Sequence, residues 1–182
     1  MTFTLGSLRF EPAASRPDLL AVPVAAALAD PAWPLADDDL GVAAIDPDLA
    51  DTAAFCERYG VTGPESANCV VIAGRRDGEV RYAACVVLAT TRADVNGIAR
   101  RMLDVRKASF AATDVAVAET SMEYGGITPV GLPAGWMVLI DAAVAAAPRV
   151  VIGSGLRRSK LALSGKALAS LPGVATVADL GR

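Results

Sequence analysis

The chain has 182 residues, 53% of them apolar, with 20 Asp or Glu against 17 Lys or Arg for a net charge of −3, three cysteines and no histidine. That length and apolar content suit one domain with a sizeable core, and no apolar run approaches the roughly 20 residues needed to cross a bilayer. Without imidazole there is no Ser-His or Cys-His pair and no histidine metal ligand, so any chemistry must rest on carboxylates, lysine, arginine, hydroxyls, backbone amides or the substrate's own groups.

The opening MTFTLGSLRFEP has neither the basic stretch nor the continuous apolar run of a signal peptide, which predicts a cytoplasmic protein. Ser15 is placed to cap a helix through RPDLLAVPVAAALAD, which Pro23 must kink or divide, and a Pro- and Asp-rich connector, DPAWPLADDDLG, follows. Residues 48–59 put Leu49, Ala53, Cys56 and Tyr59 near one helical face, with Gly60 as a stop. Two apolar runs, NCVVIA and VRYAACVVLA, flank an Asp77-Gly78 turn signal and predict a hairpin. Asp94 is a cap for a helix through Leu103, VRKASFA reads as a short strand, and Asp114 caps a further turn or two. Further on, WMVLI and RVVI read as buried strands around the alanine-rich DAAVAAA, which Asp141 is placed to cap. GSGLRRSKLALSG, a last helix KALASL and a terminal VATVADL complete the chain. Strands and helices mix without a regular βαβ cadence, so the pattern predicts a mixed α+β single domain, its mixed sheet forming a partly closed barrel surrounded by helices.

Charge and cysteines add two constraints. Residues 1–91 carry six Lys or Arg against thirteen Asp or Glu, whereas residues 92–182 carry eleven against seven. The basic residues of the second half cluster at Arg100-Arg101, Arg106-Lys107 and Arg157-Arg158-Ser159-Lys160, which reads either as solvated surface or as a patch for phosphates. Cys56, Cys69 and Cys85 are odd in number, far apart and set in apolar surroundings, as buried reduced thiols are, and they offer no metal-binding spacing.

One loop is unusually constrained: residues 122–133, MEYGGITPVGLP, hold three glycines and two prolines. Consecutive glycines let backbone N–H groups approach a ligand, and a following proline stiffens the loop, so amides there are suited to an ester oxygen. A plain structural turn is the alternative for the loop taken alone.

From residue 68 to residue 180 the order of apolar hairpin, TTRADVNGIARRML helix, RKASF strand, GGITPVGLP loop, VLID strand, VVIGSG loop and KLALSG strand resembles the YbaK/EbsC family of aminoacyl-tRNA editing domains, related to the insertion domain of bacterial prolyl-tRNA synthetases. The resemblance implies that fold across residues 48–182, with 1–47 as a divergent N-terminal portion of the same domain. It also implies a freestanding deacylase that hydrolyses the ester of a mischarged tRNA, such as Cys-tRNA(Pro) or Ala-tRNA(Pro). The partners would be the 3′ aminoacyl-adenosine end and, as a further candidate, an aminoacyl-tRNA synthetase, with no cofactor, metal or membrane. In the family a Gly-x-x-x-Pro loop holds the terminal adenosine and the aminoacyl carbonyl. Its counterpart here is Gly125 to Pro129, so the resemblance assigns catalysis to Gly125, Gly126 and Pro129 and substrate binding to Tyr124, Ile127, Thr128 and Gly131. Gly153, Ser154 and Gly155 correspond to a second glycine loop beside the pocket.

One position departs from the family. The lysine that opens its first core strand is replaced by Asn68, which can exchange hydrogen bonds but supplies no charge. Lys160 or Arg157 are the residues that could restore a cation. Two functions therefore stand open: an active deacylase with an altered anchoring group, or a catalytically silent module that binds tRNA or aminoacyl-adenosine. Loop hydroxyls such as Thr128 and Ser154 also suit local backbone bonding. Glu119 and Glu123 read as solvated helix residues, and Trp33 and Trp136 as packing anchors.

Overall fold

The computed structural model describes residues 2–36 and 39–182; the Asp37-Asp38 part of the predicted connector lies outside the described residues. The predicted hairpin is β4 (Ala67–Arg76) and β5 (Glu79–Leu88), ten residues each in unbroken antiparallel register. Its two-residue turn has positive φ at both Asp77 (52°) and Gly78 (87°), which matches the twist of the flanking strands. β5 is buried from Ala83 to Val87, the continuous apolar run expected of a strand covered on both faces.

Around this hairpin a mixed sheet forms in the order β10-β7-β5-β4-β6, with β6 at Ala108–Phe110, β7 at Met137–Asp141 and β10 at Val174–Val177. The β5–β7 and β7–β10 pairs are parallel. A second sheet, antiparallel throughout, runs β1-β2-β3-β9-β8, from Phe3–Leu5, Leu8–Pro12, Gly41–Ala44, Ser159–Leu163 and Val150–Gly153. A parallel bridge from Ser66 to Val151 joins the sheets where β4 and β8 begin.

Period-two alternation distributes the side chains over the layers. Val150, Ile152, Leu161 and Leu163 meet Val86, Val138 and Ile140 between the sheets. Val151 and Ala162 face the other way, toward Phe10 and Phe55, the latter on helix α2 (Thr52–Tyr59). On the far side of the mixed sheet, Ile72, Cys85 and Leu139 pack under Val95, Ala99 and Leu103. The fold is thus a single mixed α/β domain, as the alternation and element order predict.

The N-terminal third differs most from the sequence reading. Ser15 does not cap a long helix: its hydroxyl donates to the Pro12 carbonyl at 2.7 Å, and the chain makes two short 3-10 turns before α1 (Val22–Ala29), which has Pro23 in its first turn. Pro23 therefore sits where its missing N–H costs nothing. β1, β2 and β3 supply three of the five strands of the antiparallel sheet, so this portion is built into the core. Phe3 stacks on Phe10 at 5.2 Å, with the Arg149 guanidinium 3.6 Å from the Phe3 ring centre.

Other ends follow local chemistry. Gly60 closes α2 in the left-handed region. Asp94 accepts from the Gly97 and Ile98 amides and opens a π-turn over Val95–Ala99 that runs into α3 (Arg100–Met102); α4 (Thr113–Thr120) has Asp114 in its first turn rather than at its cap. Asp141 caps α5 (Ala142–Ala146) through the Ala143 amide at 2.8 Å and also accepts from Gly181 at 2.7 Å. Ser164 caps α6 (Gly165–Ala169). Because Asp141 is buried and holds two backbone donors, Asp141→Ala is expected to cost about 1–3 kcal/mol, read as a lower urea midpoint at unchanged slope.

Candidate active site

A cavity of about 440 Å³ opens where the two sheets separate beyond the Ser66–Val151 bridge. One wall is the start of β4, a second is β8 with Lys160 of β9, and the first turn of α2 closes the inner end. The stretch from β6 through α4 to the glycine loop forms the rim.

Asn68 lies on the β4 wall. Its side-chain oxygen accepts from the Thr52 hydroxyl at 2.5 Å, which leaves the amide NH₂ as a donor on a residue that lines the cavity. Lys160 lies opposite. It is 8% exposed, its Nζ donates to the Ala50 carbonyl at 2.9 Å, and it stands 5.3 Å from the Phe55 ring centre. Burial, helped by the Arg157 charge and opposed by that of Asp51, lowers its pKa to about 8. A lysine held there by a backbone carbonyl is expensive for the fold.

The glycine loop meets the cavity at Tyr124, Gly125 (φ +81°) and Ile127. Gly126 does not offer its amide to a ligand: that N–H donates to the Glu123 carbonyl at 2.9 Å and closes the turn. The reason for a glycine is close packing. The Gly126 carbonyl accepts from Gly155 at 2.7 Å, a Cβ on Gly126 would lie 2.7 Å from the Leu156 backbone, and a Cβ on Gly153 would collide with the Gly126 carbonyl. The two glycine loops are therefore clasped backbone to backbone beside the cavity.

Other residues named from the sequence fall into three groups. Gly153 lines the cavity with Asn68, Gly125 and Lys160. Arg157 braces the rim instead, donating to the Tyr124 and Pro47 carbonyls at 3.1 Å each, while its backbone N–H donates to Glu123 at 2.6 Å; Glu123 is exposed, as expected, but fastens the loop rather than sitting on a helix. Ser154 is fully buried and shares its hydroxyl with Ser159 at 2.7 Å, and Ser159 in turn donates to the Leu19 carbonyl. Gly155, with φ +84°, packs on Ala21. Thr128 is buried without a partner for its hydroxyl. Pro129 and Gly131 face a separate groove beside Trp33 and Trp136, away from the cavity, where Gly131 packs onto Pro23 and Val24 of α1.

The sequence reading missed Asp51, Thr52, Phe55, Cys69 and Phe110 as cavity residues. No motif marks them; the one available signal was the opening of the predicted helix opposite the strand that carries Asn68. The three thiols are free, and burial raises the pKa of each, that of Cys85 to about 12, so they are protonated at neutral pH. Among the described residues no helix is long and apolar enough to cross a membrane.

The description "Aminoacyl-tRNA editing domain" matches residues 46–171, which span both glycine loops, Asn68 and Lys160. The chain belongs to that family. This editing domain shares its fold with a solved structure described as a candidate trans-editing enzyme for prolyl tRNA synthetase, at 21% identity and a TM-score of 0.73, covering 89% of this chain and 96% of the other. A designed scaffold for presenting linear epitopes is similar at 22% identity and a TM-score of 0.73, covering 89% and 97%. A hypothetical protein is similar at 20% identity and a TM-score of 0.68, covering 78% and 90%. No curated protein matches the sequence. At such identities the solved structures speak for the fold of the editing domain alone.

Proposed function

We propose that this editing domain is an aminoacyl-tRNA deacylase acting in trans on a mischarged tRNA of the tRNA(Pro) type. The observation that carries the proposal is the convergence of Asn68, Gly125 and Lys160 on one 440 Å³ cavity. A neutral Asn68 stands where the family places lysine, and a cation reaches the same cavity from β9.

An aminoacyl ester needs little activation. The Lys160 ammonium, with one N–H on Ala50 and two free to turn, and the Asn68 NH₂ are placed to hold the ester carbonyl oxygen and to take up negative charge as the carbonyl becomes tetrahedral. The neighbouring ribose hydroxyl orients the attacking water. The water oxygen bonds to the carbonyl carbon, the bond to the ribose oxygen breaks, and a water proton passes to that leaving oxygen, giving free amino acid and a tRNA with its 3′ hydroxyl restored. Gly125 and Ile127 set the depth of the acyl group. This scheme assigns no role to Pro129, Gly131 or the Gly126 amide beyond fixing the loop.

The test is release of labelled amino acid from a panel of tRNAs mischarged with different amino acids. Release from at least one member supports a deacylase. Tight tRNA binding with no release from any member transfers the function to a silent binding module.

A further inference from the structure

Two features at the cavity mouth are unexplained by the ester chemistry. Phe110 and Tyr124 are each 61% exposed, and both line the cavity, one from the edge strand β6 and one from the glycine loop. Among the described residues they are the only aromatic side chains left exposed, whereas Phe10 and Phe55 are buried and Tyr82 stacks on Trp136 at 4.7 Å. The segment leading into β6 carries exposed Arg101, Arg106 and Lys107. The carboxylate in that segment, Asp104, is already paired with Arg76 at 3.3 Å and Arg81 at 3.1 Å. Asp51 is the acidic residue at the cavity itself, and it lies 3.9 Å from Arg157.

We infer that Phe110 and Tyr124 are stacking platforms for the unpaired bases of the tRNA 3′ end, with Arg101, Arg106 and Lys107 tracking the phosphates that precede them. The inference rests on the deacylase proposal, since an ester seated between Asn68 and Lys160 leaves its ribose at the mouth and its base on the rim. Exposed aromatic faces joined to a cationic segment are how single strands are held without reading sequence. Their exposure costs the folded chain solubility unless something covers them.

The probe is a short RNA ending in ACCA with 2-aminopurine as its last base, whose fluorescence is quenched by stacking. Wild-type protein is expected to quench it. Phe110→Ala and Tyr124→Ala should each weaken binding about tenfold, and Phe110→Trp should retain it. Arg106→Ala with Lys107→Ala should reduce the salt dependence of binding and leave the quench at saturation intact. With a mischarged tRNA, the loss in the alanine variants should fall on KM rather than kcat. Both aromatic positions are exposed, so the variants should melt as the wild type does, and the tryptophan variant reports on stacking independently of that. No quench by the wild type, or unchanged affinity in both Phe110→Ala and Tyr124→Ala, overturns the inference even where deacylation proceeds. Quench without deacylation leaves the stacking site standing and removes the deacylase.

Discussion

Lys160→Met should lower the rate of amino-acid release by about 10²- to 10³-fold, the usual consequence of deleting one donor to a developing oxyanion. KM should change little, because the charge acts on the carbonyl as it becomes tetrahedral rather than on the bound tRNA. The same substitution should leave the melting temperature unchanged or raise it. Burial already disfavours the Lys160 ammonium, and a thioether of similar length fills the space over Phe55 without that cost.

The pH profile separates an electrostatic role from a basic one. With the pKa lowered to about 8, the ammonium is the major form at neutral pH and is lost as pH rises through 8. Enzymatic release, corrected for spontaneous ester hydrolysis, should therefore fall across that pH; a general base at Lys160 would make it rise. Stability provides the companion check. Between about 8 and the ordinary lysine value of 10.5 the unfolded chain holds a proton that the native chain has released, so wild-type stability should increase with pH in that window. Lys160→Met should lack the increase.

Gly153→Ala should reduce release by about 10²-fold. Its new Cβ would collide with the carbonyl of Gly126 and press on that of Ile127, forcing the two glycine loops apart at the cavity wall, and displacements of about 1 Å cost that much when positioning is the source of catalysis. Some stability should go with it, about 1–3 kcal/mol, as for other overpacked sites. Gly135→Ala is the control: φ there is +84° but no atom lies within 4 Å of the added Cβ, so it should cost stability and spare the rate. Equal losses in the two variants would mean that the clasp between the loops has no special part.

The mixed sheet was legible where local chemistry and tertiary structure agree. Asp77-Gly78 and its flanking apolar runs specify a hairpin, Asp94, Asp141 and Gly60 mark ends, and the run from Val138 to Ile140 can only be a covered strand. The N-terminal sheet was not legible. LRFEP and GVAA are short and become strands by pairing with each other and with β9, a partner more than a hundred residues away, and Pro17 and Pro23 imitate a kinked helix. At the site, sequence order drew attention to Asn68, Gly125 and Lys160 but could not aim them. The Gly126 amide looked available because consecutive glycines suit a ligand equally well as they suit another backbone, and only the fold shows that the Glu123 carbonyl takes that amide while Leu156 and Gly155 pack against the residue. Thr52 and Phe110 carry no motif at all; one is a helix-opening threonine, the other the last residue of a three-residue strand.

The most direct measurement is single-turnover release of amino acid from the mischarged tRNA panel, run side by side with wild-type protein and Lys160→Met at equal concentration and pH 7. Release by the wild type from at least one tRNA, with at least a hundredfold slower release by Lys160→Met and matched tRNA binding, is the predicted result. Equal release by the two proteins, or none by the wild type from any tRNA that it binds, would contradict a deacylase that draws its charge from β9.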